Sequence, residues 1–359
     1  LVPSRGLGDV YKRQVLEGSV RIAGNRLRIT TELASCRDGL QLWSERFDGE
    51  MRDVFETQDQ IARAIVDQLE LELGSASGGP LVKQGTENLE AYHLLLKARH
   101  HMTEFWEPGL LAALECLEQA IELDPDYALA HSVMAECYLI RSNFGNLPGR
   151  EAFPRVRSAV RRALELDPEL GDARGIHAIY LAWHDLDWPA AEREMELALR
   201  YSPQNVWNHL YHAAMLATSR RSDEIVSGYL PALELDPLNP VIHVHSTLFH
   251  FYAGLTEKAA TDARKSHELF PDYWLIPYFQ SFVSWQKRDG AAAVALIEKA
   301  VEMTGGNLPY VACYAAAVQF FFGNEQEGER WLSEVERLAA AQFVPPTGRA
   351  LVEIARGRT

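Results

Sequence analysis

The side chains that could do chemistry here are histidines, carboxylates and four cysteines, and their spacing decides what they could do. His209 and His212 stand three apart, and His131, His177, His243 and His250 recur through the same stretch. Residues three apart share a helix face, so this could be a metal-binding or pH-sensing column. No Cys or carboxylate joins them at ligand spacing, so the plainer expectation is imidazoles standing in for aromatic rings at helix-packing positions. His184 and Asp185 put a base beside an acid, but adjacent side chains on a helix do not face each other. Glu192 and Glu196, four apart, suit an exposed helix face. The chain has no G-x-S-x-G, no H-E-x-x-H, no G-x-x-x-x-G-K-S/T and no cyclase metal-binding pattern, and His267-Glu268 runs into Pro271. Cys36, Cys116, Cys137 and Cys313 lie far apart with no C-x-x-C, which argues against zinc or a disulfide framework and fits a reducing compartment. The reading is therefore no catalytic residue, no metal and no cofactor.

Elements must position whatever remains. The chain has 359 residues, 47% of them apolar and 24% charged, the composition of a folded globular protein. Its formal net charge of −15 disfavours nucleic acid and anionic membranes. The longest apolar run, Val311 to Phe322, falls short of the ~20 residues a membrane helix needs.

Residues 1–14 include DVYKRQ (Asp9 to Gln14), which looks like a translated transposon end from sequencing-library preparation, and are set aside as a non-native scar. From Val15 the pattern alternates: Val15 to Ile22, the turn Gly24-Asn25, Arg26 to Ala34, a turn at Arg37 to Gly39, then Leu40 to Arg46. A helix follows from Asp53, with Phe55, Ile61, Ile65, Val66 and Leu69 on one stripe. Three strands and a helix, residues 15–73, are too small to bury an independent core, and read as the back half of a larger α/β domain. Residues 74–87, opening GSASGG-Pro, are a linker.

Beyond it one phrase repeats: AIELDPDY, ALELDPEL, ALRYSPQN, ALELDPLN, SHELFPDY and AVEMTGGN. The prolines Pro125, Pro168, Pro203, Pro237 and Pro271 are 43, 35, 34 and 34 residues apart. A period near 34 predicts stacked helical hairpins, because proline stops one helix, a small residue before it lets neighbours approach, and stacking covers the apolar faces. The 43-residue step predicts an insertion at Ser142 to Arg150, and residues 342–359 begin a further helix.

The repeated phrases resemble tetratricopeptide repeats, and VLEGSVRIAGNRLRITTEL with LQLWSERFDGEMRDVFETQDQIARAIV resembles the last part of a TolB-like (FlgO-type) domain. The fold class implied is mainly α: a tetratricopeptide-type solenoid of about seven hairpins over residues 88–341, behind a truncated N-terminal α/β segment. Such domains precede such repeats in bacterial adenylate cyclase-like proteins and winged-helix transcription regulators, whose catalytic residues have no counterpart here.

In that repeat family, offsets of 4, 7, 11, 14 and 15 from each proline face a concave groove. They give a partner-binding surface of Trp183, Trp207, Leu210, Val244, Phe251, Tyr252, Tyr278, Phe282, Trp285 and Phe320, apolar and without Lys or Arg. A carboxylate clamp is absent, and aromatic side chains would anchor an apolar peptide or helix, or else pack across a tightly wound superhelix. Arg155, Arg157, Arg161 and Arg162 form a patch that is a solvated helix face or a dock for an anionic partner. The function expected is non-catalytic protein–protein interaction within a signalling protein, with a cyclase accessory region or the sensor half of a transcription regulator as alternatives. No nucleic acid and no membrane span is expected for this chain. The cytoplasm is the expected compartment, and the periplasmic side of a tethered parent the alternative.

Overall fold

A computed structural model describes residues 14–35, 40–50, 56–58, 60–61, 64, 85–103, 105–144, 146–219 and 221–357. The expected scar, apart from Gln14, lies outside the described residues, as do the linker GSASGG, Cys36 and most of the helix expected from Asp53. The chain divides into two compact units, one up to Leu89 and one from Glu90.

The first unit holds an antiparallel meander of β1 (Gln14–Ala23), β2 (Arg26–Ser35) and β3 (Gln41–Glu50). Gly24, at φ +61°, supplies the left-handed backbone that the β1–β2 hairpin needs. The register aligns Val20 with Ile29 and Phe47, and Leu16 with Leu33 and Trp43, so one face is apolar. On the other, Arg28 and Arg46 share Asp48. Residues 56–58, 60, 61 and 64 are helical or adjoin a helical stretch after the sheet.

The second unit is an α-solenoid. Its pairs are α1 (Leu89–Met102) with α2 (Glu107–Leu123), α3 (Ala128–Asn143) with α4 (Gly149–Leu166), α5 (Gly171–Tyr180) with α6 (Trp188–Tyr201), and α7 (Val206–Thr218) with α8 (Ser222–Leu235). Then come α9 (Pro240–Tyr252) with α10 (Thr256–Leu269), α11 (Leu275–Gln286) with α12 (Gly290–Met303), α13 (Pro309–Phe321) with α14 (Glu325–Ala339), and a last helix α15 (Pro346–Ala355).

Each phrase that carries a proline folds the same way. Asp124 N donates to Ala120 O at 3.0 Å and Tyr127 N to Asp124 O at 3.1 Å, and the same two bonds recur at Asp167/Leu170, Ser202/Asn205, Asp236/Asn239 and Phe270/Tyr273. At the sixth phrase, which lacks proline, Gly305 and Gly306 break the helix with φ of +63° and +71°. Ala120, Ala163, Ala198, Ala232 and Ala300 are fully buried, where a larger side chain would push the helices apart. The core they join is continuous from Ala91 to Val352.

The extra residues of the 43-residue step lie together at the α3–α4 turn, around the expected Ser142 to Arg150, but most of them lengthen the two helices rather than the loop. Relative to α7 and α8, with 13 and 14 residues, α3 and α4 have 16 and 18, and the loop between them is two residues longer. That loop carries Phe144 into the interior of the solenoid.

Candidate functional site

The histidines take structural places. His131, His209 and His243 each set Nε2 3.1, 2.8 and 2.7 Å from the carbonyl of the proline six residues earlier, Pro125, Pro203 and Pro237. Arg174 does the same to Pro168 O at 2.9 Å. A donor at this offset therefore closes the inter-repeat turn, whose proline carbonyl has no helical partner. His177 lies 3.6 Å from Glu194, the partner of Arg174. His250 Nδ1 is 2.8 Å from Asp262, in a buried network with Ser246 and Tyr229. Burial pushes His212 and His243 below the usual imidazole range, which keeps them neutral at pH 7. Among the described residues no group of three or more His, Cys, Asp or Glu is placed to hold a metal ion.

One expectation is corrected. His184 and Asp185 do meet, with Nδ1 2.7 Å from Oδ1. The reason is that α5 runs into a π-turn, Leu181–Asp185, which ends at Leu186 with φ +57° and so departs from α-helical side-chain directions. The His184 ring stacks on Tyr180 at 4.9 Å.

The arginine patch is engaged within the chain. Arg155 stands over the Tyr138 ring, Arg161 is 3.6 Å from Glu165, and Arg162 is 2.8 Å from Asp126, while Arg157 lies near Tyr180.

The expected groove residues fall into three groups. Leu210, Val244 and Phe320 are buried and pack between helices. Gly328 makes room for Phe320, because a Cβ there would lie 2.7 Å from its ring. Trp207, Phe251, Tyr278, Phe282 and Trp285 are half-buried in a web of rings, and Trp183 is half-buried as well. Phe282 stacks on Tyr314 at 4.1 Å, Trp285 meets Phe321 at 5.1 Å, and Phe251 meets Phe282 at 6.0 Å. Tyr252, 56% exposed, is the freest of the ten.

This web crosses the solenoid. Phe105, between α1 and α2, touches Trp207 at 5.8 Å and Phe144 at 5.6 Å. Phe144 in turn touches Trp274 at 6.5 Å and Tyr310 at 5.7 Å, which joins the second repeat to the sixth and seventh. Phe105 is buried although its φ is +57°, a left-handed conformation that costs about 1 kcal/mol or more, so packing of its ring offsets the strain. Part of the expected surface is thus already covered by the chain's own rings.

A charged group sits among them. Glu136, at offset 11 from Pro125, accepts the Tyr211 hydroxyl at 2.8 Å, and Arg99 lies 3.3 Å from Asp172. Burial raises the Glu136 carboxyl to about 7, against the pull of the Tyr211 hydrogen bond and Arg99. The groove expected to be apolar and without Lys or Arg thus carries carboxylates, Glu136 and, at offset 4 from Pro168, Asp172.

No protein-family profile matches the chain. A putative adenylate cyclase 3 of Rhizobium meliloti is 32% identical over 183 residues, 50% of this chain and 30% of that protein. The transcriptional regulator HilA of Salmonella typhimurium is 20% identical over 165 residues, 46% of this chain and 30% of HilA. The chain thus spans about a third of the length of these curated relatives. Among solved structures, yeast Tom70 superposes with a TM-score of 0.55 at 13% identity, covering 84% of this chain and 67% of Tom70. Cut9–Hcn1, the APC/C hetero-tetramer, gives 0.52 at 13% identity, covering 85% of this chain and 54% of that one. These likenesses show the fold, a tetratricopeptide-like solenoid. No helix among the described residues is long and apolar enough to cross a membrane.

Proposed function

We propose that this chain is a non-catalytic interaction module, whose solenoid holds a partner polypeptide along its concave, aromatic side. The observation that carries this is the exposed ring of Tyr252 beside the half-buried rings of Trp207 and Trp285, on helices whose cores are otherwise complete. Rigid aromatic side chains supply contact area at small entropic cost. The fold shared with Cut9, solved in a hetero-tetramer with Hcn1, supports the same reading. The relatives, a putative cyclase and a transcription regulator, support a place for the module in a longer signalling protein, with the solenoid as a regulatory part beside the acting domain.

Tyr252 is the position for the test, because Trp285 is tied to Tyr314 and Phe321 and its removal would also cost stability. Benzoylphenylalanine in place of Tyr252 should crosslink to a partner polypeptide in a bacterial lysate, and the same probe in place of exposed Leu238, in the α8–α9 turn, should not. Equal crosslinking at both positions, or none at 252, contradicts the reading.

A further inference from the structure

Glu136, Asp172, Arg99, Tyr211 and Trp207 come from four helices, α3, α5, α1 and α7, and none of the five is fully buried. Two carboxylates share one guanidinium: Asp172 has Arg99 at 3.3 Å, and the direct partner of Glu136 is a neutral hydroxyl at 2.8 Å. Beside them the Tyr211 and Trp207 rings lie 6.2 Å apart, and Trp207 continues to Phe105.

We propose that this notch seats one basic side chain, a lysine or arginine, of an otherwise apolar partner segment. The proposal rests on the groove reading above and specifies its occupant. Charge complementarity selects it. A second cation would balance the second carboxylate, and its aliphatic stem would lie along rings whose faces attract cations within about 6 Å. An acidic anchor is disfavoured, because Arg99 is committed to Asp172 and Glu136 would repel it.

The charged and titratable groups facing Glu136 are Arg99 from α1, Asp172 from α5 and Tyr211 from α7. With its carboxyl at about 7, Glu136 is mostly protonated at pH 6 and mostly ionised at pH 8. A ligand that needs the ionised form should therefore bind about tenfold more tightly at pH 8 than at pH 6.

The test selects binders to the full chain from a phage-displayed library of random 12-residue peptides, with Glu136→Gln in parallel. The expected outcome is an enriched apolar motif containing one Lys or Arg, lost from the Glu136→Gln selection, whose synthetic peptide gains about tenfold in affinity from pH 6 to 8. An enriched motif without a basic residue overturns this proposal and leaves the groove reading standing. Enrichment of nothing overturns both. Asp172→Asn, on a different helix, should weaken the basic peptide as well, so the answer does not hang on one variant's folding; unchanged affinity in both variants also overturns the proposal.

Discussion

Replacing Glu136 by Gln should change the pH dependence of stability in a direction that follows from its surroundings. The folded chain holds this carboxyl at about 7 against an ordinary value of 4.5, so the folded state keeps the proton that the unfolded chain releases. Stability attached to the group is therefore fully present below pH 4.5 and is lost as pH rises through 7. At about 1.4 kcal/mol per pH unit the full loss would be about 3 kcal/mol, and partial solvent access to Glu136 lowers it to about 2 kcal/mol. The neutral amide keeps an acceptor for the Tyr211 hydroxyl and has nothing to ionise. Buried His212, His243 and His245, held below the usual range, act oppositely, since the unfolded chain takes protons that these refuse and stability falls below pH 6.5. Both sequences share that contribution, so the difference between them isolates Glu136. Urea unfolding followed by circular dichroism at pH 5, 6.5 and 8 should give near-equal midpoints at pH 5 and a variant more stable by about 2 kcal/mol at pH 8. Parallel profiles would refute the argument that Glu136 is desolvated without a cation.

Three further outcomes follow from packing. Phe144→Ala removes ring contacts to Phe105, Trp274 and Tyr310 and should cost about 3 kcal/mol, with a red shift of tryptophan emission; an unchanged melting curve contradicts closure across the solenoid. Gly175→Ala would ordinarily stabilise a helix by about 1 kcal/mol. Here its Cβ would lie 2.0 Å from Asn208 Oδ1, so thermal unfolding should fall instead and recover in part with Asn208→Ala. His243→Ala loses the bond to Pro237 O and the ring contact with Phe270 and should cost about 2 kcal/mol by urea unfolding, whereas an exposed substitution such as Ser333→Ala should cost little.

The solenoid was legible in the sequence because its information is local. An Asp-Pro turn, a buried alanine and the next capping residue all lie within about ten positions, and Asn205 and Asn239 cap α7 and α9 as such residues do. The histidine spacing was legible as well, but its use was not, since the acceptor is a carbonyl freed only once the turn forms. Glu136 stands at the same offset from Pro125 as Phe282 from Pro271, so its face followed from the repeat period, but its desolvation did not. The contacts of Phe105 and Phe144 could not be read, because they join repeats far apart in sequence through superhelical closure, and the repeat period says nothing of pitch. The His184–Asp185 contact depended on one π-turn that the spacing of apolar residues does not announce.

The central claim is that the concave helices receive the partner, and hydrogen exchange of the full chain with and without a selected peptide tests it most directly. Protection should appear on the first helices of the pairs, α3, α7, α9 and α11, and leave α4, α6 and α8 unchanged. Protection confined to those second helices, or to the β1–β3 sheet, would contradict it.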